Sequence, residues 1–166
     1  LHKQCRENML NEIKVFENDA GIDERGSIWT TWKKNEWKDM DFNHDKFSVS
    51  KQNVLRGLHG DNKSWKLVTC VYGEVFQVVV DARPESKTYL EWNSWNLSEN
   101  NRKQILIPPN FANGYLCLSD KCVYHYKYSY KGEYPDVKDQ FTIKWNDQRL
   151  GIKWPIENPI LYGRDK

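Results

Sequence analysis

No stretch of the 166 residues is apolar for long enough to cross a bilayer, and the opening residues give no reason to expect a secretory leader. Neither sign of charge is in excess: 25 Lys and Arg stand against 23 Asp and Glu, a net charge of +2. So even a balance offers no basic field for nucleic acid or a membrane surface, and any phosphate must be held by a few placed residues. Cysteine is sparse, at four, without a CxxC pair; Cys70 and Cys117 sit inside apolar runs. Together with Cys5 and Cys122 they are expected to be free thiols in a reducing, cytoplasmic setting. Histidine is also scarce: His2, His44, His59 and His125, with no HxH pair and the last three on separate strands or loops. A metal site needs several such ligands on one centre, so no metal is expected. Repeats, low-complexity segments and linkers are missing too, which leaves one domain over residues 1–166. The chain begins at Leu1 rather than Met, and further residues are expected before it.

Aromatics are plentiful, with 8 Trp and 9 Tyr. Such side chains pack cores and interfaces, and they also line sugar and base pockets. Short β-type runs follow one another, punctuated by Gly, Asn, Asp and Pro. Residues 66–72 and 74–80 meet across Gly73, which reads as a hairpin or a tight β corner. Further strands are expected over 11–16, 27–32, 47–50, 54–59, 89–97, 104–107, 114–118, 122–128 and 140–144. Short helices are expected only near 33–37 and 136–138. Many short strands at about ten-residue spacing predict an all-β sandwich or barrel, whose mouth can hold a ligand. In Leu55-Arg56-Gly57-Leu58-His59, strand alternation puts Leu55, Gly57 and His59 on one face and Arg56 and Leu58 on the other, unless a bulge or twist intervenes. Gly57 would leave room beside His59 for a ligand to approach. A cationic Arg near a potential base, at a strand end, suits an anionic substrate held beside a proton acceptor.

Val54-Leu55-Arg56-Gly57-Leu58-His59, Lys66-Leu67-Val68, Gly73-Glu74-Val75-Phe76 and Val80-Asp81 with Arg83 resemble the core of the dTDP-4-dehydrorhamnose 3,5-epimerase family. Asp23-Glu24-Arg25-Gly26 upstream is similar to that family's opening signature. Downstream, Ile107-Pro108-Pro109-Asn110-Phe111-Ala112, Trp145-Asn146-Asp147 and residues 150–155 look like its later motifs, and Pro159 to Asp165 like its last. The resemblance implies a cupin-type jelly roll with a few short helices. It also implies a homodimer that exchanges N-terminal strands, and no metal or organic cofactor. The implied substrate is a nucleotide-diphospho-4-keto sugar, inverted at C3 and/or C5 through an enolate.

The resemblance also implies roles. His59 is the base and Asp165 its carboxylate partner. Lys66 supports the enolate charge. Tyr134 is the proton donor, with Tyr128 and Tyr130 as rivals because the spacing there differs. Arg25 and Arg56 meet the diphosphate, Arg25 by reaching the neighbouring subunit's nucleotide, and Ser48 and Ser50 hydrogen-bond nearby. The chain departs from the pattern in three respects. Asn113 stands where members often have a second histidine, and Asn cannot shuttle protons near neutral pH, so single or double inversion stays open. Ile28 and Thr30 occupy places that would touch the nucleobase, and Gly60-Asp61 follows His59 in place of the usual residues. These choices look like a branch acting on GDP-linked 4-keto-heptoses in bacterial capsule synthesis. Two other activities remain in view: a 3,4-ketoisomerase, and a sugar-nucleotide-binding module without catalysis.

Overall fold

The computed structural model describes residues 3–4 and 10–166; Cys5 and His2 lie outside them. The strands in chain order are β1 (Lys3–Gln4), β2 (Lys14–Glu17), β3 (Ala20–Asp23), β4 (Gly26–Trp29), β5 (His44–Lys51), β6 (Leu55–Gly60) and β7 (Trp65–Tyr72). They continue as β8 (Glu74–Asp81), β9 (Trp92–Ser98), β10 (Lys103–Ile107), β11 (Phe111–Cys117), β12 (Lys121–Ser129) and β13 (Phe141–Thr142). One-turn 3-10 helices occur at Lys34–Glu36 and Val137–Asp139, as expected, and also at Gly163–Asp165. No helix among the described residues is long and apolar enough to cross a membrane.

Two sheets pack as a sandwich. One has the spatial order β1-β2-β10-β7-β12-β5, the other β13-β6-β11-β8-β9; β3 and β4 pair separately as a hairpin. From β5 to β8, and again from β9 to β13, each strand lies in the sheet opposite its predecessor. That alternation is the winding of a jelly roll. It also decides between the two readings of Gly73, because β7 and β8 belong to different sheets and the turn is a corner. Gly73 has φ +77°, and a Cβ there would lie 2.3 Å from the Lys121 carbonyl oxygen. Only glycine fits so tight a positive-φ corner.

The apolar runs of β7, β8 and β11 fill the space between the sheets. Val68, Val75, Val79, Ile105, Phe111 and Tyr115 are fully buried there, each contributing about 1.5–3 kcal/mol by leaving water. Cys70, Cys117 and Cys122 join this layer as free, buried thiols, and burial pushes the Cys70 thiol up to about 12. The outer face of the second sheet is covered by the C-terminal segment. Leu150, Ile152 and Trp154 pack over Leu58, Val78 and Val80. Two tryptophans fasten that cover: Trp92 Nε1 donates to the Leu150 carbonyl at 2.6 Å, and Trp154 Nε1 donates to that of Trp145 at 2.8 Å. At the end of β8, buried Asp81 accepts hydrogen bonds from Arg83, Ser86 and Thr88, and Arg83 reaches on to Glu12. Burial alone would raise the Asp81 acid, but these donors more than offset it and hold it well below the usual carboxylate range.

Candidate active site

The site begins with a fault in a strand ladder. On β11, Asn113 pairs with His59 and Tyr115 with Arg56, so Gly114 alone faces the two residues Gly57 and Leu58 of β6. This is a β-bulge, and it breaks strict alternation. Arg56 and His59, three apart, therefore line one cavity of about 460 Å³, while Leu58 turns into the opposite apolar layer. The space at Gly57 is not left for a ligand, contrary to the strand-alternation reading. A Cβ on Gly57 would come 2.5 Å from the Gly114 Cα and 2.7 Å from the Asn113 carbonyl oxygen. The close approach that requires glycine is made by the protein's own β11.

Both ring nitrogens of His59 have a polar neighbour. Nε2 lies 2.7 Å from Asp165 Oδ1, and Nδ1 lies 3.1 Å from Thr142 Oγ1. Thr142 is opposite His59 in the β13–β6 ladder. Asp165 arrives by a longer route. The tail after β13 returns along β6, where Leu55 N donates to the Ile160 carbonyl at 3.1 Å and Ile160 N donates to that of Asn53 at 2.8 Å. The chain then enters the Gly163–Asp165 turn beside the pocket. The two side chains are only 17% and 11% exposed, so their pairing is poorly screened by water.

Lys66, at the start of β7, lines the same pocket. Burial pushes its ammonium pKa down, and the Asp61 carboxylate 3.5 Å away pulls it back up. Asp61 is itself buried and accepts from the backbone N–H groups of Lys63 (3.0 Å) and Ser64 (2.6 Å). Its role is thus internal: it closes the turn after β6 and fixes a lysine. The pocket's aromatic wall is tyrosine, with no tryptophan among its lining residues. Tyr126, Tyr128, Tyr134 and Tyr162 contribute. Of the three candidate donors, Tyr134 and Tyr128 reach the pocket, with their hydroxyls 3.5 Å apart. Burial raises the Tyr128 phenol above its ordinary value. Tyr130 does not line the pocket and bonds His44 Nδ1 at 3.0 Å.

Among the binding candidates, Ser48, Arg56 and Asn113 also line the cavity. Arg56 Nε donates to Ser50 Oγ at 2.9 Å, and both serines bond the Tyr115 hydroxyl, at 2.7 and 3.1 Å. Ser50 therefore stands behind Arg56, buried, rather than in the cavity wall. Asn113 Oδ1 accepts from Gln77 Nε2, and Gln77 Oε1 accepts from the Tyr124 hydroxyl at 2.6 Å, a buried chain that fixes the amide. Arg25, Ile28 and Thr30 lie outside this pocket. Arg25 is paired to Asp23 on the β3–β4 hairpin, and Ile28 and Thr30 line a shallow cleft with Trp29 and Lys33. Thr142 and Lys46 are at the site without having been singled out in the sequence, and Asp61 was noted there only as a departure from the family pattern. Among the described residues, no group of three or more His, Cys, Asp or Glu is placed to hold a metal ion.

The model of one protein family, described as dTDP-4-dehydrorhamnose 3,5-epimerase, matches residues 7–166. The chain is 37% identical over 165 residues to the dTDP-4-dehydrorhamnose 3,5-epimerase of Salmonella typhimurium, covering 94% of this chain and 88% of that protein. Among solved structures, it is similar to the Bacillus anthracis dTDP-4-dehydrorhamnose 3,5-epimerase with TDP and PPi bound, with TM-score 0.91 and 29% identity over 99% of this chain and 97% of that one. It is also similar to the Legionella pneumophila dTDP-6-deoxy-D-glucose-3,5-epimerase in complex with dTDP-4-keto-L-rhamnose, with TM-score 0.87 and 32% identity over 95% and 86% of the two chains.

Proposed function

The chain belongs to the dTDP-4-dehydrorhamnose 3,5-epimerase family, and from that premise we propose that it inverts carbons beside the 4-keto group of a dTDP-linked 4-keto-6-deoxy sugar. The family is one of carbohydrate epimerases acting on nucleotide sugars. The observation that carries the reading is the His59–Asp165 pair, set in a cavity that also holds Lys66 and Tyr134. A ketone acidifies the hydrogens on its neighbouring carbons, because the carbanion delocalises as an enolate. His59 takes the proton as the C–H bond breaks, and Asp165 stabilises the imidazolium. The electron pair moves to the ketone oxygen, where the Lys66 ammonium offsets the charge. Tyr134 then protonates the carbon from the other face, and the ketone re-forms.

The dTDP assignment takes precedence over a GDP-linked heptose. It is supported by relatives whose names and bound ligands are dTDP sugars or TDP. It is also supported by the internal role of Asp61, which had counted toward GDP and is fully occupied by Lys66 and its own turn. Thermal shift separates the two, since a ligand bound only by the native state raises stability according to its affinity. A larger shift with TDP than with GDP is expected; the reverse restores the heptose reading.

The reading includes a second copy of the chain. The β3–β4 hairpin carries Ile22 and Ile28 at 74% and 79% exposure, and Phe47 and Val49 are exposed on the outer face of β5. Apolar surface of this kind suits an interface, and a partner there would let Arg25, Ile28 and Thr30 serve a neighbour's pocket. The direct test is NMR of the product formed from a dTDP-4-keto-6-deoxyhexose. Inversion at C3, C5 or both supports the proposal. A carbonyl moved to C3 would indicate a ketoisomerase instead, and an unchanged substrate a binding module.

A further inference from the structure

One cation of the pocket has no part in the steps above. On β5, Ser48 and Lys46 face the cavity, whereas Phe47 and Val49 between and beyond them are turned outward and exposed. Lys46 stands opposite Tyr126 in the β12 ladder. Its Nζ donates to the Tyr134 hydroxyl oxygen at 2.9 Å and lies 4.6 Å from the centre of the same ring. Among the described residues no carboxylate pairs with it: neighbouring Asp45 is taken by His125 and Lys127. A lysine facing a cavity and bonded to one phenol, with no acid to neutralise it, is poorly explained as a structural ion pair.

We propose that Lys46 is a positioning residue for Tyr134, holding the phenol by its oxygen and balancing the negative charge left there when the proton is delivered. The inference rests on the reading of Tyr134 as the donor. Because Lys46 occupies a lone pair of the oxygen, the Tyr134 O–H is directed elsewhere, toward the cavity or the Tyr128 hydroxyl. In the delivery step the Tyr134 O–H bond breaks and a C–H bond forms with the electron pair of the enolate. The ketone is restored, and the pair left on the phenolic oxygen faces the Lys46 ammonium. One proton from water resets the phenol, and the His59 imidazolium returns one to water, so the cycle closes with no net proton gained or lost. Preorganised charge of this kind acts on the transition state more than on the bound substrate.

The test follows wild type, Lys46→Met, Lys46→Arg, Tyr134→Phe and the Lys46→Met/Tyr134→Phe double variant with a dTDP-4-keto-6-deoxyhexose in D2O. Lys46→Met should lower kcat for inversion about 10- to 100-fold with KM little changed, and Lys46→Arg should recover most of it. Deuterium uptake with retained configuration, which uses the His59 side of the site and not Tyr134, should persist in Lys46→Met. In the Tyr134→Phe background, removing Lys46 should cost nothing more, because a residue acting through another has no effect once that one is gone. The inference is overturned if Lys46→Met inverts at the wild-type rate, if it loses uptake and inversion together, or if the double variant falls well below Tyr134→Phe. A wild type that neither inverts nor takes up deuterium would instead remove the epimerase reading, and this inference with it.

Discussion

His59 and Asp165 meet at 2.7 Å between Nε2 and Oδ1, one residue coming from the sixth strand and the other from the last turn of the chain. The tail reaches that point along a fixed track. Its Ile160 exchanges backbone hydrogen bonds with Asn53 and Leu55 before the final turn begins. Anchoring and pairing are thus separable. Asp165→Asn should leave the melting temperature within a few degrees of wild type while lowering kcat on the order of 100-fold or more, since the amide can no longer stabilise an imidazolium. Thermal unfolding and steady-state kinetics on one preparation check both halves.

Lys66 and Asp61 make a second prediction, about asymmetry. Asp61→Asn leaves a buried ammonium without its counter-ion and weakens the turn held through Lys63 and Ser64. That loss should cost on the order of 3 kcal/mol. Lys66→Met removes the charge and keeps an apolar stem, so it should cost clearly less stability while abolishing inversion. Urea denaturation of the two variants gives the order; equal losses would contradict it.

The Gly57–Gly114 contact makes a third. Gly57 has φ +124°, and an added Cβ would meet the β11 backbone at 2.5 Å, with no flexible side chain there to give way. Gly57→Ala should therefore cost at least about 2 kcal/mol and pull His59 out of register with Asn113. A stable, active Gly57→Ala protein would show that the bulge does not set the site.

These residues also mark how far the sequence alone could be read. The order of short runs was enough for an all-β sandwich, and the motif around His59 and the closing Asp165 named two groups that do meet. Pairing across strands was not legible. The register shift that brings Arg56 and His59 onto one side depends on β11, more than fifty residues away in the chain, and its glycine partner explains Gly57 better than a ligand does. Thr142 reaches Nδ1 only because β13 pairs with β6, and an isolated threonine in a strand carries no signal of that. Asp61 was read as a mark of substrate preference because its buried partner, Lys66, comes from a different strand and sheet. Of the aromatics read as core packing or pocket lining, tyrosines line the pocket, while Trp92 and Trp154 fasten the C-terminal cover.

Asp81 predicts the shape of the acid limb. Its acid is held low in the folded protein by Arg83, Ser86 and Thr88 against the effect of burial. A carboxyl depressed on folding contributes stability that is complete above its unfolded pKa, about 3.9, and is lost as pH falls toward the folded value. Wild type should lose stability steeply below about pH 4, and Asp81→Asn should be less stable at neutral pH with a shallower acid limb. Chemical denaturation at pH 7, 4 and 3 tests this; parallel curves for the two proteins would contradict it.

Hydrogen exchange at the carbon next to the ketone is the most direct probe of the whole account. With a dTDP-4-keto-6-deoxyhexose in D2O, wild type should gain deuterium at C3, C5 or both, and a folded His59→Asn variant should gain none above the uncatalysed rate. Undiminished exchange in that variant would mean that the imidazole on β6 is not the base.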